Sequence, residues 1–286
     1  MRAFVYERPD RLADALALLA GGDEGAARPL AGGTDLIIRI RDGSIRPATV
    51  VDVKGIEEFS SDIRIEDGWL RIGARTTMTD LMRDERIRRD YTALAEAAAY
   101  VGSVQIRNRA TLAGNICNAS PAADTAPALL AFGARVIAVG QGGRRVIPLD
   151  DFFVRSGVTT LAPGELVEAI EMPLPTGARG SVHARRTRRR GHDLASVTLA
   201  LAIDDRGTTR VSYGSVGPRP VLAVDDTGTL ADPTATDDAV RERLEELFVA
   251  AAPSPTSMRA SPEYRLAMLR VMAIRAVQDA RERVTS

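Results

Sequence analysis

Cysteine is nearly absent. Cys117 stands alone in 286 residues, which excludes an internal disulfide and a self-contained [2Fe-2S] or [4Fe-4S] cluster, since a cluster takes about four thiolates. Two histidines leave little for zinc, and no metal site is expected. Aromatics make up 4% of the chain, with Trp69 the single tryptophan, so there is no stacking platform for nucleic acid. Neither sign of charge prevails. The 38 Lys plus Arg balance 38 Asp plus Glu, so no field over the whole protein favours nucleic acid, a membrane surface or an anion. Runs approaching the roughly 20 apolar residues of a membrane span are missing. The opening MRAFVYERPD lacks the apolar segment of a signal peptide, so a cytoplasmic location is expected. Core-forming residues, by contrast, are plentiful: 45% are hydrophobic, over a length that suggests two domains. If such a protein does redox chemistry, its cofactor is organic.

Hydrophobic spacing predicts a helix over 9–19 with Asp10 as N-cap and Gly21-Gly22 beyond its end. A strand, tight turn and short helix follow over 29–41, then a strand over 48–53 and a hairpin over 63–73 turning at Asp67-Gly68. Helices are expected over 79–88, 92–101 and 122–132, the last two closed by Gly102 and Gly133, with a loop-rich stretch over 104–121 between them. A second hairpin over 134–148 and a strand over 166–172 lead to the proline-punctuated stretch 173–180, the best domain boundary. Beyond it, three strands of an antiparallel sheet (181–186, 195–203, 209–216) and two long helices (237–252, 262–283) suggest a small α+β domain.

Two loops combine glycine with hydroxyl or amide donors: Ala31-Gly32-Gly33-Thr34-Asp35-Leu36 and Thr111-Leu112-Ala113-Gly114-Asn115. Glycine lets backbone N–H groups approach an oxyanion closely and takes positive φ, and a following helix adds a favourable dipole. Such loops suit phosphate. Neither fits GxGxxG, nor GxxxxGK followed by Ser or Thr, so Rossmann and P-loop readings fail.

The extended motifs, LAGGTDL at 30–36 and QIRNRATLAGNICNASPAADTAPAL at 105–129, closely resemble those of the flavoprotein subunits of the xanthine dehydrogenase and carbon monoxide dehydrogenase family of molybdenum hydroxylases. The resemblance continues through VDVKGI at 51–56, LRIGARTTMTDL at 70–81, LAPGELVEAIEMPLP at 161–175 and SMRASPEYRLAML at 257–269. It implies an α+β fold: a bilobed PCMH-type (vanillyl-alcohol oxidase-like) FAD-binding domain over 1–175, its lobes split near 55, and a small C-terminal α+β domain over 176–286 with a three-stranded antiparallel sheet. It further implies non-covalent FAD. Its pyrophosphate would be held by Ala31, Gly32, Gly33, Thr34 and Asp35, with Leu36 beside them, and by Thr111, Gly114 and Asn115. Ser120, Ala123 and Asp124 would lie near the ribityl, ribose or phosphate groups. Asp124, an anion, would accept from sugar hydroxyls rather than touch phosphate. Leu166 and Val167 would lie against the isoalloxazine, although plain strand core explains them equally. The basic stretch 185–190, beginning at Arg185, would come toward the flavin, with most of its charges on a solvated or subunit-facing surface.

One departure from the family pattern is Ala113, where a second glycine is usual; a slight shift of the backbone facing phosphate is expected. Cys117 reads as a packing residue, and His183 and His192 as structural. No catalytic residue is assigned. The resemblance implies partners: a large molybdopterin subunit, where substrate is hydroxylated, and a small [2Fe-2S] subunit, in a dimer of heterotrimers. Electrons would pass through FAD to NAD+, oxygen or a quinone. Two rivals remain open at this point: a stand-alone FAD-dependent oxidoreductase acting directly on a small molecule, and a scaffold that lost its cofactor.

Overall fold

A computed structural model describes residues 3–21, 26–189, 191 and 193–284. Gly22, Arg190 and His192 lie outside the described residues. The first sheet is parallel: Thr49–Asp52 runs between Val5–Glu7 and Ala27–Leu30, with Val50 and Val51 fully buried. The helix Leu12–Ala20 packs beside it through Ala15 and Leu16. Its N-cap is Arg11, not the expected Asp10, whose carbonyl instead accepts from Glu57 N–H at 2.8 Å and so stays in extended chain. Val5–Glu7 was not expected as a strand. Three residues are too few for a readable alternation.

The second sheet has five antiparallel strands, in the order Ile63–Glu66, Trp69–Gly73, Leu166–Pro173, Arg135–Gly140, Gly143–Pro148. Its first hairpin turns at Asp67 (φ 49°) and Gly68 (φ 79°), the left-handed pair that the Asp-Gly sequence calls for. The expected helix over 79–88 is two helices, Met78–Arg83 and Glu85–Asp90. The break is at Asp84, whose carboxylate accepts from Arg86 and Ile87 N–H, each at 3.0 Å. A side chain that caps so well competes with the helix that would run through it. Thr92–Ala99 and Thr125–Ala131 form as expected, with Gly102 (φ 53°) and Gly133 (φ 66°) left-handed beyond their ends. The stretch expected to be loop-rich holds two short helices, Val104–Arg107 and Leu112–Cys117, each with a hydroxyl N-cap.

The third sheet is antiparallel and has four strands where three were expected: Gly180–Arg186, Val197–Ile203, Thr209–Gly214 and Val221–Asp225. The additional strand is a short edge strand behind Pro218 and Pro220, with Val224 exposed, so its alternation is weak. Val197–Ile203 is buried on both faces. Leu199, Leu201 and Ile203 join a core with the helices Asp237–Leu247 and Pro262–Val284, whereas Ala200 and Ala202 join the core of the N-terminal part. That second face lies on Thr92–Ala99 and Thr125–Ala131.

Candidate cofactor site

The first glycine loop begins where Ala27–Leu30 ends, with Leu30 in register beside Asp52. Gly33 has φ 76°, which an L side chain rarely adopts, and it reverses the chain into the helix Leu36–Arg41. At Gly32 the constraint is proximity. A Cβ there would lie 2.1 Å from the Arg109 carbonyl oxygen. Among the described residues, none of the N–H groups of Gly32, Gly33, Thr34 and Asp35 finds a protein acceptor.

The second loop is held by pairing with the chain before Met78–Arg83. Met78 N–H donates to Ala110 O at 2.9 Å, Leu112 N–H to Thr76 O at 3.1 Å, and Thr77 bridges Thr111. Thr111 then caps Leu112–Cys117, its hydroxyl accepting from Gly114 N–H at 3.1 Å. Asn115 accepts from the Thr125 hydroxyl at 2.6 Å, and Asn118 reaches across to donate to Asp35 at 3.4 Å. The two loops, about 80 residues apart in sequence, thus meet through the Gly32–Arg109 backbone contact and the Asn118–Asp35 bond. Ser120 lies next along the chain, its hydroxyl accepting from Ala122 N–H at 3.3 Å, and Ala123 is buried. Ala113 is packed into the N-terminal core, so its methyl has a place among apolar groups.

Asp124 is buried, and its carboxylate faces the C-terminal sheet. Oδ1 lies 3.3 Å from His183 Nε2 and Oδ2 lies 3.3 Å from Arg185 Nη1. Arg185 in turn donates to the carbonyls of Tyr100 and Asp193 and lies over the Tyr100 ring at 5.0 Å. Asp124 and Arg185 therefore come together, with protein partners on both carboxylate oxygens. The remainder of the described basic stretch is at the surface: Arg186, Arg188 and Arg189 are exposed. His183 is buried, its backbone N–H donating to Glu96 at 2.8 Å, and its ring Nδ1 finds no partner among the described residues. Leu166 and Val167 are in the apolar core, on the strand against which Leu112–Cys117 packs. A bulge follows Val167, and the bulged Glu168 is held by Arg71 at 2.8 Å. Cys117 also packs against this core, and burial pushes its thiol up to about 12.

Three residues at the site were missed from sequence: Asn118, Arg109 and Lys54. The first two stand inside the quoted second motif, but a backbone contact leaves no trace in residue type. Lys54 donates to Ala31 O at 3.1 Å. Free N–H donors on a turn that only glycine allows suit an anionic diphosphate, so the residues present fit FAD.

Comparison with known proteins agrees. Residues 2–175 match the family described as FAD binding domain in molybdopterin dehydrogenase, and residues 183–280 match the CO dehydrogenase flavoprotein C-terminal domain. The xanthine dehydrogenase FAD-binding subunit of Escherichia coli O157:H7 is 32% identical over 280 residues, covering 96% of this chain and 95% of that one. The carbon monoxide dehydrogenase medium chain of Afipia carboxidovorans is 30% identical over 285 residues, covering 98% of each. A crystal structure of cyanide-inactivated Cu,Mo-CO dehydrogenase superposes with a TM-score of 0.90 at 30% identity over 98% of each chain. The expected α+β fold and the expected FAD cofactor are borne out. Alike in two matched segments, in full-length relatives and in fold, the chain belongs to the family of FAD-binding subunits of molybdopterin dehydrogenases, which are oxidoreductases.

Proposed function

We propose that this chain is the electron-relay subunit of a molybdenum hydroxylase, placing FAD between a partner's [2Fe-2S] clusters and a soluble acceptor, NAD+, oxygen or a quinone. The observation that carries this reading is the meeting of the two glycine loops, with the N–H groups of residues 32–35 free to face an anion. Ala31 to Leu36 would hold the diphosphate from one side and Thr111, Gly114 and Asn115 from the other. Ser120 and Ala123 would line the path toward the ribityl chain. Asp124, already shared by His183 and Arg185, would fix the C-terminal sheet against that path while leaving lone pairs for a sugar hydroxyl. Leu166 and Val167 would close the apolar side. Bound FAD supplies exchange between one-electron donors and a two-electron acceptor.

The reading takes residues 1–175 as the FAD-binding domain, split near 55, and 176–286 as the C-terminal domain; the two matched segments support that division. The single cysteine supports placing the clusters elsewhere. The partners would be a large molybdopterin subunit and a small [2Fe-2S] subunit, in a dimer of heterotrimers. Co-expression of the chain with the products of neighbouring reading frames tests this. A complex containing flavin, iron and molybdenum, whose flavin is bleached by substrate, is expected. A monomer that binds FAD and oxidises substrate alone would overturn the relay role.

A further inference from the structure

Lys54 is the only lysine in the chain; the other 37 of its 38 Lys and Arg residues are arginines. Its surroundings account for an ammonium here. Asp52 ends the central strand Thr49–Asp52 beside Leu30, so its carboxylate emerges where the first glycine loop departs. That carboxylate is almost fully buried, accepting from the Tyr6 hydroxyl at 2.5 Å on Oδ2 and from Lys54 N–H at 3.0 Å and Nζ at 2.6 Å on Oδ1. The same Nζ donates to Ala31 O at 3.1 Å. A compact ammonium serves both acceptors from one point, whereas a planar guanidinium fork must spread its donors. The Lys54 carbonyl accepts from Arg75 Nη1 at 3.0 Å, and Arg75 directly precedes the Thr76–Met78 segment that pairs with the second loop. A chain of hydrogen bonds therefore runs from Tyr6 through Asp52 and Lys54 to Ala31, with a branch to the anchor of the second loop.

We propose that Lys54 is a positioning residue for the FAD diphosphate: its Nζ, already paired with Asp52, holds the Ala31 carbonyl and so turns the N–H groups that follow away from it. The proposal rests on the reading of residues 31–36 as the diphosphate turn. Without the Nζ bond, the Ala31 peptide can rotate and bring its carbonyl oxygen toward the anion. Charge alone would act from anywhere nearby, but the bond acts only through Ala31.

The test compares Lys54→Met with Tyr6→Phe in the full chain, since each removes one donor from Asp52 but only the first releases Ala31. Measurements are the FAD dissociation constant of the apoprotein by flavin fluorescence, the urea midpoint of the apoprotein, and the 31P resonances of bound FAD. Both variants are expected to lower the urea midpoint, Lys54→Met the more, because it leaves the buried Asp52 carboxylate without its counter-charge. Lys54→Met is expected to weaken FAD about tenfold, as for one charge-assisted hydrogen bond, and to shift the diphosphate resonances, with Tyr6→Phe within about twofold of wild type. Equal FAD affinity in Lys54→Met and wild type, or equal weakening by both variants, would overturn the proposal. Lys54→Arg keeps the charge beside Asp52 if the methionine variant does not fold; unchanged affinity and unchanged resonances in it would likewise overturn the proposal. A wild-type apoprotein that binds no FAD would instead sink the reading of the loop.

Discussion

A methyl on Gly32 would meet a carbonyl oxygen at 2.1 Å, and that oxygen is backbone, so the only relief is to part the two loops. Gly32→Ala is expected to cost about 1–3 kcal/mol in urea denaturation of the apoprotein and to weaken FAD at least tenfold. Gly114 gives the contrast. A Cβ there meets only the Thr111 hydroxyl, at 2.9 Å, so Gly114→Ala puts at risk a helix cap worth about 1 kcal/mol. Equal losses in the two variants would show that the loops are not held by backbone contact. At Cys117 burial pushes the thiol up to about 12, so the thiolate is scarce at neutral pH. Ellman's reagent at pH 8 is expected to leave it unmodified in the folded chain and to react at once in denaturant.

The elements legible in the sequence are those with their own signal: Asp67-Gly68 marks the first hairpin, Gly102 and Gly133 the ends of two helices, and the apolar run 195–203 a strand. Less legible were elements that depend on a neighbour. Val5–Glu7 and Val221–Asp225 are edge strands made by the strand they pair with, and the stretch 104–121 gains its two short helices from Ser103 and Thr111 caps. The glycine loops stand out in composition, but that Asn118 would reach Asp35, or Lys54 reach Ala31, needed the fold. Val221–Asp225 also carries a pH dependence. Asp225 is fully buried, and burial opposes its ionisation, yet bonds from the Thr227 hydroxyl, the Leu230 N–H and Arg243 outweigh this and hold it below the usual carboxylate range. A depressed folded pKa means stability that is present above the ordinary value near ~3.9 and lost as pH falls through the folded one. Asp225→Ala is expected to cost about 3 kcal/mol at pH 7, the low end for breaking a buried pair, because Arg243 keeps Glu246 at 2.6 Å. Its deficit relative to wild type should shrink in unfolding curves below the ordinary carboxylate pKa.

Across the whole molecule the two parts share a core rather than a thin contact. Ala200 and Ala202 join the N-terminal cluster, Ser215 N–H donates to Pro121 O at 2.7 Å, and Arg283 pairs with Glu96 at 2.7 Å. One cooperative transition is therefore expected for the full chain by circular dichroism and by Trp69 fluorescence alike. Residues 176–286 expressed alone would expose one face of their sheet and are expected to lack a cooperative transition; a sharp one would show that this face needs no cover. The strand responsible, Val197–Ile203, is seven residues without a charge, buried on both sides. Such a segment is also what stacks into fibrils when left bare. Synthesis from the N-terminus completes the helices Thr92–Ala99 and Thr125–Ala131 while this strand is still inside the ribosome, so it emerges onto a surface already made for it. In chain order, the helices that cover this strand thus come before the strand that needs the cover.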